Sequence, residues 1–171
     1  AVADERAILE DPSIQLVLSS IVPIERAPLG VRVMQHGKDY MSDKPGIITM
    51  AQLAEARRVL ADGGGVVVST FAHAHFDTYW AAPFFPSIRE IDRARFPTEA
   101  ALTKELEAAG FAPPVFEHIS SGYAIPRDLA LERIRGRHIS TFDLLPDHEI
   151  AEGTARAERE LPETVDVRLE Q

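Results

Sequence analysis

The order of hydrophobic runs predicts an α/β fold: a Rossmann-like three-layer sandwich with a mainly parallel sheet of about five strands. Three observations carry this expectation. Short apolar runs at Ile14–Ser19, Lys38–Ser42 and Val66–Thr70 alternate with longer amphipathic stretches at Glu25–His36 and Met50–Ala61. Strand–helix–strand order calls for right-handed crossovers and parallel neighbours. The length, 171 residues with 45% hydrophobic content, suits one domain with a sizeable core, so residues 1–171 are read as a single domain. Val165–Leu169 alternates apolar and polar residues, as an edge or half-exposed strand does, and an antiparallel pair near the carboxyl end is a possible addition to the sheet.

Each element has a local justification. Asp4 to Glu10 reads as a short helix ended by Asp11-Pro12. Ile14 to Ser19 carries the β-branched character of a buried strand, and Ser20 to Pro23 is the loop after it. Glu25 to His36 puts Leu29, Val33 and Met34 on one helical side, with Gly37 as its stop. Thr49 is the N-cap expected for Met50–Ala61, whose Leu53, Ala56 and Leu60 share a face. Asp62-Gly63-Gly64-Gly65 is a turn, and Val66–Thr70 the third strand. Ala72 to Phe96 is aromatic and proline-rich without a clean period, the texture of a lid or an irregular cover. Thr98 caps a helix that Gly110 stops. Pro113-Pro114 precedes a fourth strand at Val115–Ser120, and Arg127–Gly136 and Asp147–Glu160 read as surface helices.

Charge and composition exclude several classes. Asp and Glu number 27 against 18 Lys and Arg, a net charge of −9. Phosphate neutralisation needs a basic surplus, so no nucleic-acid partner is expected. Cysteine is absent, which removes disulfides, thiolate metal sites and a Cys nucleophile. No apolar run reaches the ~18 residues of a membrane span, and the acidic amino end is unlike a signal peptide. A soluble, cytoplasmic protein acting on a small-molecule substrate is the expectation. The chain opens on Ala1 inside a helical pattern, as an excised or engineered piece would.

The candidate chemistry centres on Tyr40-Met41-Ser42-Asp43-Lys44-Pro45-Gly46, where Lys44 follows a strand. Open α/β sheets bind ligands at strand carboxyl ends, and an ammonium there donates a proton or holds an anion. The alternative for Lys44 is a solvated side chain at a strand end. His73, His75 and Asp77 would place two imidazoles on one side of an extended segment, as metal ligation requires, but a third ligand must come from elsewhere, and no metal is expected. Phe76, Tyr79, Trp80, Phe84 and Phe85 suit a plain core over the sheet. Arg133, Arg135, Arg137 and His138 form a basic cluster, read as a solvated helix face with acidic neighbours in preference to a site for an anionic ligand. Gly63-Gly64-Gly65 precedes a strand, so it is not a phosphate turn, and no nucleophile elbow or Walker loop occurs.

Two family resemblances extend this reading. Leu9-Glu10-Asp11-Pro12-Ser13-Ile14, the Ser19–Pro23 loop, Val33-Met34-Gln35-His36-Gly37 and Asp43-Lys44-Pro45 resemble the nucleotide-binding domain of the Gfo/Idh/MocA oxidoreductases over residues 1 to about 60. The resemblance implies an NAD or NADP site, with Ser19, Ser20, Ile21, Pro23, Asp43 and Pro45 near the cofactor and Lys44 as the catalytic proton donor. The Gly-x-Gly-x-x-Gly turn of that family is missing. Residues from about 53 to 171 resemble the carboxyl-terminal part of class I S-adenosylmethionine-dependent methyltransferases. The matching stretches are Ala54–Gly64, Val66–Phe71, Phe96-Pro97-Thr98 and Leu106–Phe111. That resemblance implies methyl transfer to a small acceptor, with His73, His75, Tyr79 and Trp80 lining the acceptor pocket. The cofactor loop of that family lies upstream of anything present. A chimera joined at the helix near Leu53–Ala61 follows from the overlap. Three functions are expected in turn: a methyltransferase-like protein with an incomplete cofactor site, an NAD(P)-dependent oxidoreductase fragment, and a non-catalytic α/β scaffold.

Overall fold

The computed structural model describes residues 4–171. The chain divides into two compact units. The first takes the chain up to Val67 together with Leu102–Pro114; the second takes Val68–Ala101 and Val115–Gln171.

The first unit begins with α1 (Arg6–Leu9), β1 (Leu16–Ser19), α2 (Pro23–Gln35), β2 (Asp39–Ser42) and α3 (Met50–Val59). β1 and β2 pair in parallel, Leu16 opposite Asp39 through Ser19 opposite Ser42, with α2 as the crossover. One sheet face packs on α2. Gly30 makes the approach feasible, because a Cβ there would lie 2.7 Å from the Tyr40 ring. The entry to β1 is held by buried Lys38, whose Nζ donates to the Asp11 and Ile14 carbonyls at 2.6 and 2.8 Å. Thr49 caps α3 as expected, its Oγ1 accepting from the Gln52 amide at 3.2 Å. The other sheet face stays bare: Leu16, Leu18 and Met41 are 54%, 66% and 55% exposed.

The second unit contains α4 (His73–Thr78) and α5 (Ser87–Arg95). Next comes the start of α6 (Glu99–Ala108), most of which belongs to the first unit. The second unit continues with β3 (Ser120–Pro126), α7 (Arg127–Arg135), a 3-10 turn at Ser140–Leu144, α8 (Asp147–Glu160) and β4 (Thr164–Glu170). β3 and β4 pair antiparallel, Ser120 opposite Glu170 through Pro126 opposite Thr164. The core lies here, around fully buried Phe85, Phe142, Ile88 and Ile134. The Phe85 and Phe142 rings meet edge to face at 5.0 Å, a favoured aromatic geometry. Gly153 lets α8 press on this cluster: a Cβ there would lie 2.6 Å from the Phe84 carbonyl oxygen. Buried Asp92 accepts a hydrogen bond from Thr141 Oγ1 at 2.6 Å, and Arg95 Nη1 donates to the same hydroxyl at 3.0 Å.

The mixed α/β class and the antiparallel pair near the carboxyl end agree with the sequence. The five-strand, mainly parallel sheet of a Rossmann sandwich is not seen among the described residues. Among the described residues there are two separate two-stranded sheets. Val66–Thr70 is not a strand: Val67 is 95% exposed and the run pairs with nothing. It follows three glycines, whose freedom opposes ordering, and it falls where the chain passes from one unit to the other. Val115–Ile119 is likewise irregular, and pairing starts at the two hydrogen bonds exchanged by Ile119 and Gln171. Pro113-Pro114, just before this run, supplies no amide donors. The stretch Ala72–Phe96 is more regular than its sequence texture, resolving into α4, a turn and α5.

Candidate functional site

In the first unit the carboxyl ends of β1 and β2 lie side by side. The Asp43 amide donates to the Ser19 carbonyl at 3.3 Å, continuing the ladder one step past the strands. Buried Arg26, in the first turn of α2, ties the two following loops together. Its Nε donates to the Ile21 carbonyl at 2.7 Å, and Nη1 to the Pro45 carbonyl at 3.4 Å. Its Nη2 sits 3.9 Å from the Asp43 carboxylate. A guanidinium's planar fork suits bridging several acceptors at once. Ser42 Oγ donates to the Lys44 carbonyl at 2.8 Å and fixes the bend. Ser19 is buried, whereas Ser20, Ile21, Pro23, Asp43, Lys44 and Pro45 are exposed. Thus Ile21, Asp43 and Pro45 are gathered by one side chain, Ser19 is joined to Asp43 through the backbone, and Lys44 lies in the same loop.

Arg26 was not singled out in the sequence. Its signal is nevertheless present: Arg26, Gly30 and Val33 are buried at helical spacing on α2, so the arginine shares the inward face. Pro23 at the start of α2 brings no amide donor, and the Ser19–Val22 turn contains no glycine. This end of the helix therefore lacks the closely approached amides that cradle a pyrophosphate.

In the second unit the structure gathers His75, Tyr79 and Trp80, and adds His138. The His138 ring stacks over Tyr79 and Trp80 at 6.4 and 6.0 Å. His138 Nδ1 lies 3.1 Å from the Arg133 carbonyl, which can only accept, so Nδ1 carries the proton. Nε2 then accepts from the Tyr79 hydroxyl at 3.2 Å. Burial lowers the His138 pKa, keeping the imidazole neutral, and burial first, then the Asp92 charge, pushes the Tyr79 phenol well above its usual range. Arg133 stands over the Tyr123 ring at 5.9 Å and donates to its hydroxyl at 3.4 Å.

His75 is buried and stacks on Phe71 at 4.4 Å. Its Nδ1 has no partner, and burial lowers its pKa against the opposing pull of Asp92 and Glu170. His73 points elsewhere, its Nε2 donating to the Phe96 carbonyl at 2.9 Å. The expected extended segment is the helix α4, where residues two apart lie roughly 200° around the axis. The two imidazoles therefore do not share a side, and Asp77 pairs instead with Arg89 and Arg93 at 3.5 and 2.7 Å. Among the described residues no three His, Asp or Glu side chains are placed to hold a metal ion.

The basic cluster has the acidic neighbours its sequence called for. Arg135 meets Glu158 at 2.7 Å and Arg137 meets Asp143 at 3.3 Å, both exposed. Among the described residues no helix is long and apolar enough to cross a membrane. Comparison with protein-family models, curated proteins and solved structures finds no match to this chain.

Proposed function

We propose that the chain is a methyltransferase-like protein whose second unit binds a small acceptor, in the manner of S-adenosylmethionine-dependent methyl transfer, with an incomplete site for the donor. The observation behind the reading is the exposed His138 ring, stacked on the buried Tyr79 and Trp80 rings, with the Tyr79 hydroxyl bonded to His138 Nε2. The exposed His138 ring face would meet a flat or apolar acceptor by ring contact. Positioning and desolvation carry most of a methyl transfer, so a dedicated base is not required. Among the described residues no glycine-rich turn links a strand to a following helix, so the chain does not fit a whole nucleotide cofactor. No chemical step is therefore assigned to one.

A second reading rests on Arg26. Its three contacts bring together the strand-end residues that the oxidoreductase resemblance assigns to an NAD or NADP site, with Lys44 as proton donor. A thermal-shift titration with S-adenosylmethionine, S-adenosylhomocysteine, NAD and NADP separates the readings. Ligand at ~100 times its dissociation constant adds about 2.7 kcal/mol of apparent stability. Stabilisation by the first pair alone would support the methyltransferase reading. Stabilisation by NAD or NADP alone, lost in Lys44→Ala together with any dehydrogenase rate, would favour the second reading. No response to any of the four leaves a scaffold without cofactor chemistry and removes both.

A further inference from the structure

We propose that Asp62 is a site of spontaneous isomerisation to isoaspartate, through a succinimide closed by the amide nitrogen of Gly63. The chain contains a single Asp-Gly pair, Asp62-Gly63, and no asparagine. The pair sits in the turn after α3, closed by the Gly64 amide donating to the Ala61 carbonyl at 2.9 Å. Every residue from Ala61 to Val66 is exposed. Among the described residues the Gly63 amide has no acceptor and the Asp62 carboxyl has no hydrogen bond or ion pair. Gly63 has φ +78°, and nothing lies within 4 Å of the place a Cβ would take. The nucleophile and the electrophile are thus neighbours in sequence, both unengaged, at a glycine with open space around its Cα.

The other aspartates are held. Asp4, Asp77, Asp92 and Asp143 are engaged by Arg6, Arg93, Thr141 and Arg137, and Asp11 accepts from Ser13. Asp39 and Asp166 lie in strands, while Asp128 and Asp147 open helices. Asp43 faces Arg26 and is followed by lysine. A side chain on the following residue crowds the attack that glycine leaves open.

The step balances without an outside reagent other than water. The Gly63 nitrogen attacks Cγ of the protonated Asp62 carboxyl group. The N–Cγ bond forms, and the carboxyl hydroxyl leaves with the amide proton as water. Water then opens the ring at either carbonyl. Breaking N–Cγ restores aspartate. Breaking the original peptide bond leaves the chain running through the side chain, one carbon longer, with the α-carboxylate free.

The test holds the folded full-length chain at neutral pH and physiological temperature over weeks, followed by digestion and electron-transfer fragmentation. The expected result is several-fold more isoaspartate in the Asp62 peptide than at any other aspartate, preceded by a species lighter by one water. Asp62→Glu should give no signal at this peptide, since a six-membered imide closes more slowly. Because the chain has no asparagine, deamidation cannot supply the product. No excess at Asp62, or formation only after unfolding in urea, would overturn the proposal.

Discussion

The two units of this chain solve the same packing problem to different degrees. In the second, a two-stranded antiparallel sheet has one face covered by a core in which Phe85, Phe142, Ile88 and Ile134 are sealed from solvent. An antiparallel sheet tolerates water on its other face, and β3 accordingly exposes most of its residues. The first unit is built on a parallel pair, and parallel sheets normally need cover on both sides. Here α2 covers one side, and Leu16, Leu18 and Met41 remain in water on the other. The lesson is that the local pattern strand–helix–strand specifies a crossover and a register, but not the layers that make a parallel sheet pay its way.

The sharpest test of this contrast is truncation at matched core positions. Phe85→Ala removes a fully buried ring and should cost about 3–5 kcal/mol. Trp80, the single tryptophan, sits in the same cluster and reports its unfolding in urea. Val33→Ala, at the best-buried position of the first unit, should cost about 2 kcal/mol. A larger loss at Val33 than at Phe85 would reverse the ranking of the two cores.

Legibility in the sequence followed the same division. The cap at Thr49, the bounds of α8 and the alternation of β4 were readable because each rests on residues within one element. The failures are runs whose fate depends on a distant partner. Val66–Thr70 and Val115–Ile119 have strand composition, but no edge receives them. β-propensity records fit to a half-buried surface rather than a backbone preference, so without that surface it decides nothing. His73 and His75 illustrate a wrong period: the segment from His73 to Asp77 reads as extended and is helical. His138 was visible as part of a basic cluster, but its partnership with Tyr79, 59 residues away, was not. Gly153 gave no signal at all, since the crowding of Phe84 and Phe85 exists only in three dimensions.

A smaller effect probes the polar side of the second unit. Desolvation lowers the native pKa of His75 below its ordinary value of 6.5, and the same holds for His138. The unfolded chain therefore binds protons first as pH falls. The stabilisation from a neutral imidazole is fully present above about pH 6.5 and is lost as pH falls from there towards the native values. Asp92 and Glu170 oppose the shift at His75 without reversing it. His75→Phe, which keeps a ring against Phe71, should flatten the fall in stability between neutral and mildly acidic pH. An unchanged slope would place the sensitivity elsewhere, His138 being the next position to substitute.

The smallest expected effect bears most directly on the difference between the units. Leu18 lies on the bare face of β1, 66% exposed, with Met41 opposite it on β2. Leu18→Lys removes an apolar side chain that buries little, so the change in unfolding free energy should stay within about 0.5 kcal/mol. Binding of a hydrophobic dye should fall, because a contiguous apolar patch loses its most exposed member. If that face is truly uncovered, the charge is solvated and nothing is lost. A cost above about 1 kcal/mol would mean that the face is packed in solution, and that the first unit has found the second layer its parallel strands call for.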